Sequence, residues 1–241
     1  MGALLELENV YADIGQFHIL QGVSMTVPEN SVTVILGRNG AGKTTTLRTI
    51  MGYVHARSGA IRFLGQSITS LPTHQIVRAG MSYLPEEGHV FANLTVEENL
   101  LLATSRRDKR VQEKLEKVFT VFPDLKDALR RHAGTLSGGQ KQMLGMGCLL
   151  LSDSPLMLID EPSKGLSPKM VEKLVEVIRM LRTSTTVLLV EQNFYLASQV
   201  GDSFTIIDDG QTVLRGTMSE FVQSEELQQR YLGLHVAEGG W

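Results

Sequence analysis

The chain has 241 residues, 42% of them hydrophobic and 20% charged, a composition that belongs to ordered globular proteins and excludes a disordered one. Lys plus Arg total 23 against 26 Asp plus Glu, so the net charge is −3, the reverse of the balance a nucleic-acid binder needs. The 1 Cys excludes a disulfide framework or a cysteine metal cluster and fits a reducing, cytosolic setting.

The N-terminal segment carries Glu6 and Glu8 and no basic stretch, so it does not read as a secretory signal. Gly2 is not followed by the Ser or Thr that N-myristoylation requires. Residues 4–10 alternate apolar with acidic or polar side chains, as a half-exposed strand does. Residues 22–27 and 31–36 predict two more strands, joined by the turn Pro28-Glu29-Asn30. A glycine-rich loop follows, and a helix begins near Gly42; residues 60–64 predict a short strand bounded by Gly59 and Gly65. Residues 97–151 read as mostly helical. Within them, the run Arg106-Arg107-Asp108-Lys109-Arg110 reads as a solvated helix start.

The last third alternates strand and helix: strands over 156–159 and 185–190, helices over 168–181 and 193–200, then a hairpin over 204–214 turning at Asp209-Gly210. Apolar strands separated by helices predict a parallel sheet covered on both faces. The most apolar stretch, 143–159, is interrupted by Ser152, Asp153, Ser154 and Pro155, and falls short of the roughly 20 apolar residues of a spanning helix.

Three patterns carry chemistry. Gly37-Arg38-Asn39-Gly40-Ala41-Gly42-Lys43-Thr44, with Thr45 behind it, matches G-x-x-x-x-G-K-[ST] between an apolar strand and a helix start. Glycines let successive N–H groups turn toward phosphate oxygens, and the helix N-terminus adds its dipole. Lys43 supplies a point charge to the β and γ phosphates, and the Thr44 hydroxyl is a hard ligand for Mg²⁺. The apolar strand over 156–159 ends in Asp160 and Glu161, which places two carboxylates in the ligand crevice of an α/β sheet. Asp160 is placed to hold Mg²⁺, directly or through water, and Glu161 to accept a proton from an attacking water. Finally, Ser137, Gly138, Gly139 and Gln140 precede a helical run, with Ser137 as N-cap: a second phosphate site. Since one nucleotide has one γ-phosphate, the economical arrangement is two chains, each offering this motif to the other's nucleotide.

Leu136-Ser137-Gly138-Gly139-Gln140 between a phosphate loop and a strand ending in Asp-Glu resembles the signature of ABC-type ATPase subunits, over nearly the whole chain from about residue 4 to 233. Leu84-Pro85-Glu86, the segment 94–100, Val190-Glu191-Gln192-Asn193 and the segment 15–23 are similar to the LivF-type ATP-binding subunits of branched-chain amino-acid transporters. The resemblance implies a P-loop NTPase (RecA-like) α/β core with an antiparallel β subdomain (1–85 and 155–241) and an inserted helical subdomain (86–154). It implies ATP and Mg²⁺ as ligands, and hydrolysis by a head-to-tail homodimer or heterodimer of ABC ATPase subunits. It also implies membrane permease subunits as partners at the cytoplasmic face of the cell membrane, and a periplasmic or extracellular binding protein acting indirectly. No nucleic-acid partner is expected.

Ser163-Lys164-Gly165-Leu166-Ser167 resembles the family's D-loop, which crosses to the other subunit. Glu86 stands where the family's usual Gln contacts Mg²⁺ and the permease, and Gln192 where its switch histidine lies; both are similar to the LivF-type pattern. Gln192 can donate to a γ-phosphate but cannot carry a proton near neutral pH. The adenine-stacking aromatic is replaced by Ile14, leaving Tyr11, Ile14 and Phe17 as candidates for that contact.

The soluble ABC ATPases of DNA repair, translation or cluster assembly are the main competing class; translation-type members usually carry two such domains and repair-type members long coiled-coil insertions, and 241 residues leave no room for either. Similar subunits also serve transporters of urea and amides. The guanine-reading N-K-x-D of GTPases is absent, as is the G-x-S-x-G nucleophile elbow. The histidines (His18, His55, His74, His89, His132, His235) show no metal-ligand spacing. Cys148 reads as a buried small hydrophobe, the methionines as core filler, and Trp241 as part of a mobile tail.

Overall fold

A computed structural model describes residues 2–87, 90–104 and 110–233. Arg106 to Lys109 of the charged run, His89, His235 and Trp241 lie outside the described residues.

The chain opens with β1 (Ala3–Ile14) and β2 (Phe17–Pro28), which pair antiparallel. Next come β3 (Val32–Leu36), α1 (Lys43–Ile50), β4 (Ala56–Phe63), β5 (Gln66–Ser67), α2 (Thr73–Ala79) and β6 (Met81–Leu84). The helical stretch holds α3 (Val96–Leu102), α4 (Val111–Val121), α5 (Pro123–Asp127) and α6 (Gly138–Leu151). It is followed by β7 (Leu156–Asp160), α7 (Pro168–Arg182), β8 (Thr186–Val190), α8 (Phe194–Val200), β9 (Ser203–Asp208), β10 (Gln211–Thr217), α9 (Met218–Gln223) and α10 (Glu225–Leu232). One sheet has the order β2-β1-β4-β5 and is antiparallel; the other has the order β10-β9-β3-β8-β7-β6 and is parallel except at β10.

The parallel sheet follows from its side chains. Every residue of β3, β7 and β8 is buried, which requires cover on both faces. Alternate residues divide between two cores. Val34, Leu36, Met157, Ile159, Val187 and Leu189 join the core that includes residues of α3, α4, α6, α7 and α8. Ile35, Leu156, Leu158, Leu188 and Val190 join the core shared with α1 and the antiparallel sheet. This is the period of two expected of strands. In the helical stretch, α6 packs against α3, α4 and α5, and α3 starts with a reciprocal Thr95–Glu98 capping box. The arrangement is a P-loop NTPase core carrying an antiparallel β sheet and a helical insertion.

Several boundaries differ from the sequence reading. β1 runs past Val10 to Ile14 because the register shifts around Asn9 (φ 45°) and pairing resumes at Val10 and Tyr11. The strand predicted over 60–64 begins at Ala56, and Gly59 lies inside it rather than bounding it. Gly59 has φ +93°, and a Cβ there would stand 2.3 Å from the Asn9 carbonyl oxygen. The two irregularities face each other, and only glycine fits. The sequence reading does not include β6, α2, α9 or α10. The predicted hairpin at Asp209-Gly210 is present, with both residues at positive φ. Cys148 is half-buried; its Sγ–H donates to the Asn99 carbonyl at 3.6 Å, and burial pushes the thiol pKa up to about 12. No helix among the described residues is long and apolar enough to cross a membrane.

Candidate active site

Adjacent strands β3, β8, β7 and β6 end at one level: Ile35 pairs with Val190, Val190 with Asp160, and Ile159 with Leu84. From their C-terminal ends issue the phosphate loop, Glu191-Gln192, Asp160-Glu161 and Glu86. Residues as far apart in sequence as Asn39 and Gln192, 153 positions, are thereby brought to one crevice, the place where open α/β sheets bind ligands.

The phosphate loop is held from behind. A Cβ on Gly37 (φ +149°) would lie 2.1 Å from the Ile207 carbonyl oxygen, so the loop passes β9 at a distance only glycine permits. Ala41 N–H donates to the Arg38 carbonyl at 3.2 Å, and the Ala41 carbonyl accepts from Gly210 N–H at 2.9 Å, stapling the loop to the β9–β10 turn. Gly40 and Asn39 are exposed at the tip. Helix α1 begins after Gly42, which has no side chain to cap it. Its first-turn N–H groups have no acceptor one turn back and suit an anion. Thr45 lies in that turn, its carbonyl accepting from the Thr49 hydroxyl at 2.8 Å.

Lys43 is buried. Its Nζ donates to the carbonyls of Gly37 and Arg38, each at 3.0 Å, and lies 3.6 Å from Glu161 Oε1. Burial lowers its pKa, and the Glu161 carboxylate opposes that shift. Glu161 follows β7 with a left-handed backbone (φ 44°), a costly conformation for a non-glycine residue of the sort concentrated at functional sites. Its N–H donates to the Val190 carbonyl at 2.9 Å. The Gln192 amide Nε2 donates to Glu161 Oε1 at 2.6 Å and to Asn39 Oδ1 at 2.5 Å. Lys43, Glu161, Gln192 and Asn39 therefore converge.

Asp160 is buried and accepts two hydroxyls, Thr44 Oγ1 on Oδ1 and Tyr83 Oη on Oδ2, each at 3.1 Å. Burial raises its pKa, and the two hydroxyls oppose the rise. Burial and Asp160 likewise raise the pKa of the Tyr83 phenol. The adjacent hydroxyl and carboxylate of Thr44 and Asp160 are hard oxygen donors that fit Mg²⁺. Among the described residues no cluster of three or more His, Cys, Asp or Glu is placed to hold a metal. Glu86 ion-pairs with Lys164 of the loop after Glu161, and its charge is felt at Asp160.

Ser137 caps α6 as the sequence predicts. Its Oγ accepts from Gln140 N–H at 3.3 Å, and Gln140 Oε1 accepts from Ser137 N–H at 3.1 Å. Gly138 and Gly139 line a cavity with Glu86, Glu161 and Lys164, and no hydrogen bond among the described residues joins Ser137–Gln140 to the phosphate loop. Of the adenine candidates, Tyr11 is half-buried beneath the Arg57 guanidinium, 5.8 Å from its ring centroid. Ile14 and Phe17 pair at the β1–β2 tip, 43% and 65% exposed.

Sequence reasoning assigned no role to Tyr83 or Glu191. The Glu191 carboxylate, 1% exposed, accepts from Ser163 N–H and Oγ–H and from the N–H groups of Gln192 and Asn193. Neither position stands out in the sequence, because each acts through a neighbouring strand.

The ABC transporter family model matches residues 20–164. A probable branched-chain amino acid transport ATP-binding protein LivF of Archaeoglobus fulgidus is 38% identical over 234 residues, covering 96% of this chain and 99% of the relative. The high-affinity branched-chain amino acid transport ATP-binding protein BraG of Pseudomonas aeruginosa is also 38% identical, over 95% of this chain and 100% of the relative. A solved ATP-binding subunit of an ABC transporter superposes with a TM-score of 0.82 at 28% identity, covering 95% of this chain and 96% of that one. With its phosphate loop, paired carboxylates and capped LSGGQ helix in place, the chain belongs to the ABC transporter family and is an ATPase of the kind whose hydrolysis is coupled to transport.

Proposed function

We propose that this chain binds and hydrolyses ATP to energise import of branched-chain amino acids through separate membrane permease subunits, on the cytoplasmic face of the membrane. The observation that carries the catalytic part is the convergence of Lys43, Glu161, Gln192 and Asn39 on one crevice. The cargo rests on the two 38% identical relatives, whose lengths this chain matches.

In this reading residues 37–45 wrap the phosphates and Lys43 neutralises their charge. Glu161 takes a proton from water as that water's oxygen bonds to the γ-phosphorus and the bond to the β–γ bridging oxygen breaks. Gln192 donates to the γ-phosphate, releasing Glu161 from the hydrogen bond it holds here. Thr44, Asp160 and Glu86 would hold Mg²⁺, which supplies charge neutralisation on the phosphates when bound. Positioning and electrostatics supply most of the acceleration. Phe17 with Ile14 offers the exposed apolar platform for adenine, since Tyr11 is already engaged.

Ser137, Gly138, Gly139 and Gln140 face the nucleotide of a second ABC subunit, identical or related. Residues 86–154 act as the helical subdomain between core and permease, and a periplasmic or extracellular binding protein delivers the cargo. The test is uptake of radiolabelled leucine, isoleucine and valine by cells lacking this gene. Uptake should fall and return with the parent chain but not with Glu161→Gln. Unchanged uptake of all three, with loss of urea or amide uptake instead, would overturn the cargo.

A further inference from the structure

A buried carboxylate with four hydrogen bonds, that of Glu191, has no part in the mechanism above. Glu191, the residue after β8, is 1% exposed and accepts hydrogen bonds on both carboxylate oxygens. Oε1 accepts from Ser163 N–H at 3.0 Å; Oε2 accepts from Ser163 Oγ–H at 2.9 Å, Gln192 N–H at 3.0 Å and Asn193 N–H at 3.0 Å. Three of these partners are backbone N–H groups, which can only donate, so the set is matched to a carboxylate and not to its amide. Ser163 lies two residues beyond Glu161, and Gln192 is the residue whose amide reaches Glu161. The carboxylate thus bridges the backbone that carries Glu161 to the backbone that carries Gln192. The bridge is buried, where a hydrogen bond is stiff and an unmade one costly.

We infer that Glu191 is a positioning residue for hydrolysis, fixing Glu161 and Gln192 relative to each other through its bonds to Ser163 and to the Gln192 backbone. The alternative is a purely structural role, because the bond to Asn193 supports the start of α8, where Asn193 Oδ1 caps Leu196 N–H at 3.1 Å. The two differ in what they predict. A helix support lowers stability and leaves the turnover of folded protein alone. A positioning bridge lowers kcat while leaving nucleotide binding, which the phosphate loop supplies, nearly untouched.

The inference rests on the assignment of Glu161 and Gln192 to the reaction, and the experiment separates the two. Glu191→Gln retains the size and one acceptor oxygen but turns an amide NH₂ toward groups that only donate. It should lower kcat about 10–100-fold, the loss expected when a charged hydrogen bond supports the transition state. Its KM and the Kd for a fluorescent ATP analogue should stay within about twofold of the parent's. Ser163→Ala, which removes the hydroxyl bond and keeps the backbone one, should shift kcat the same way by less, and serves if Glu191→Gln does not fold. In the Glu161→Gln background, Glu191→Gln should change the residual rate little, because the group it positions is already gone. A parent-like kcat in folded Glu191→Gln, or in Ser163→Ala where only that variant folds, would overturn the inference. So would a full multiplicative loss on top of Glu161→Gln. If Glu161→Gln itself hydrolyses ATP at the parent rate, the assignment of Glu161 fails instead, whatever Glu191 does.

Discussion

Glu161→Gln should bind ATP, form the nucleotide-bound dimer and stall, with kcat down about 10²–10⁴-fold, the range a general base contributes. That corresponds to about 3–5 kcal/mol of transition-state stabilisation. The expectation rests on what the substitution keeps. Glutamine retains an acceptor oxygen for the Gln192 amide, now at 2.6 Å, and the backbone bonds from Glu161 N–H to Val190 and from Lys164 N–H to the Glu161 carbonyl are unaffected. What it removes is the basic oxygen and the negative charge 3.6 Å from Lys43. Binding should hold or tighten, because that charge also repels the phosphates. Single-turnover hydrolysis and size-exclusion chromatography with ATP and Mg²⁺ check both halves. Hydrolysis at the parent rate would remove Glu161 from the base role.

Lys43→Ala should have the opposite signature, a loss of binding. The ammonium is buried at the base of the phosphate loop, where its Nζ already holds the Gly37 and Arg38 carbonyls. It therefore shapes the loop as well as charging it. A charge-assisted hydrogen bond is worth about 1.5–3 kcal/mol, so the Kd for ATP should rise about 10–100-fold. Isothermal titration with ATP reads this directly, and unchanged affinity would undo the phosphate-loop assignment. The two variants together form a diagnostic pair: one separates chemistry from binding, and the other removes binding itself.

The parts of this site that are written in one contiguous stretch were legible in the sequence. The phosphate loop, the Asp160-Glu161 strand end and the Ser137–Gln140 cap each announce themselves by spacing, and each sits on the element its pattern predicts. What the sequence does not carry is adjacency. That Tyr83 reaches Asp160 depends on β6 lying beside β7, and that Glu191 reaches Ser163 depends on β7 lying beside β8. Burial changes the meaning of both side chains: in the sequence Tyr83 is an ordinary strand residue and Glu191 one more surface acid.

The fold follows the same division. Wholly buried β3, β7 and β8 were readable as short apolar runs, with the helix α7 between two of them, and their boundaries hold within a residue or so. β1 and β4 run longer than the sequence reading has them, because Asn9 and Gly59 break the register together, an event that only the pairing of those strands reveals. Helices α2, α9 and α10 are short and were not read from the sequence, although α9 opens with a reciprocal Thr217–Glu220 capping box and Ser224 caps α10.

Coupling to permease subunits in a membrane is what the hydrolysis is for in the proposed function. The most direct test is capture of tagged Glu161→Gln, which ATP should lock closed, from solubilised membranes of the organism that encodes it, with ATP and Mg²⁺ present. Bound proteins are identified by mass spectrometry. Recovery of multi-span permease subunits is the predicted result, and a co-purifying second ATPase would identify a heterodimer. Recovery of soluble partners alone would contradict the transporter reading and remove the amino-acid cargo with it.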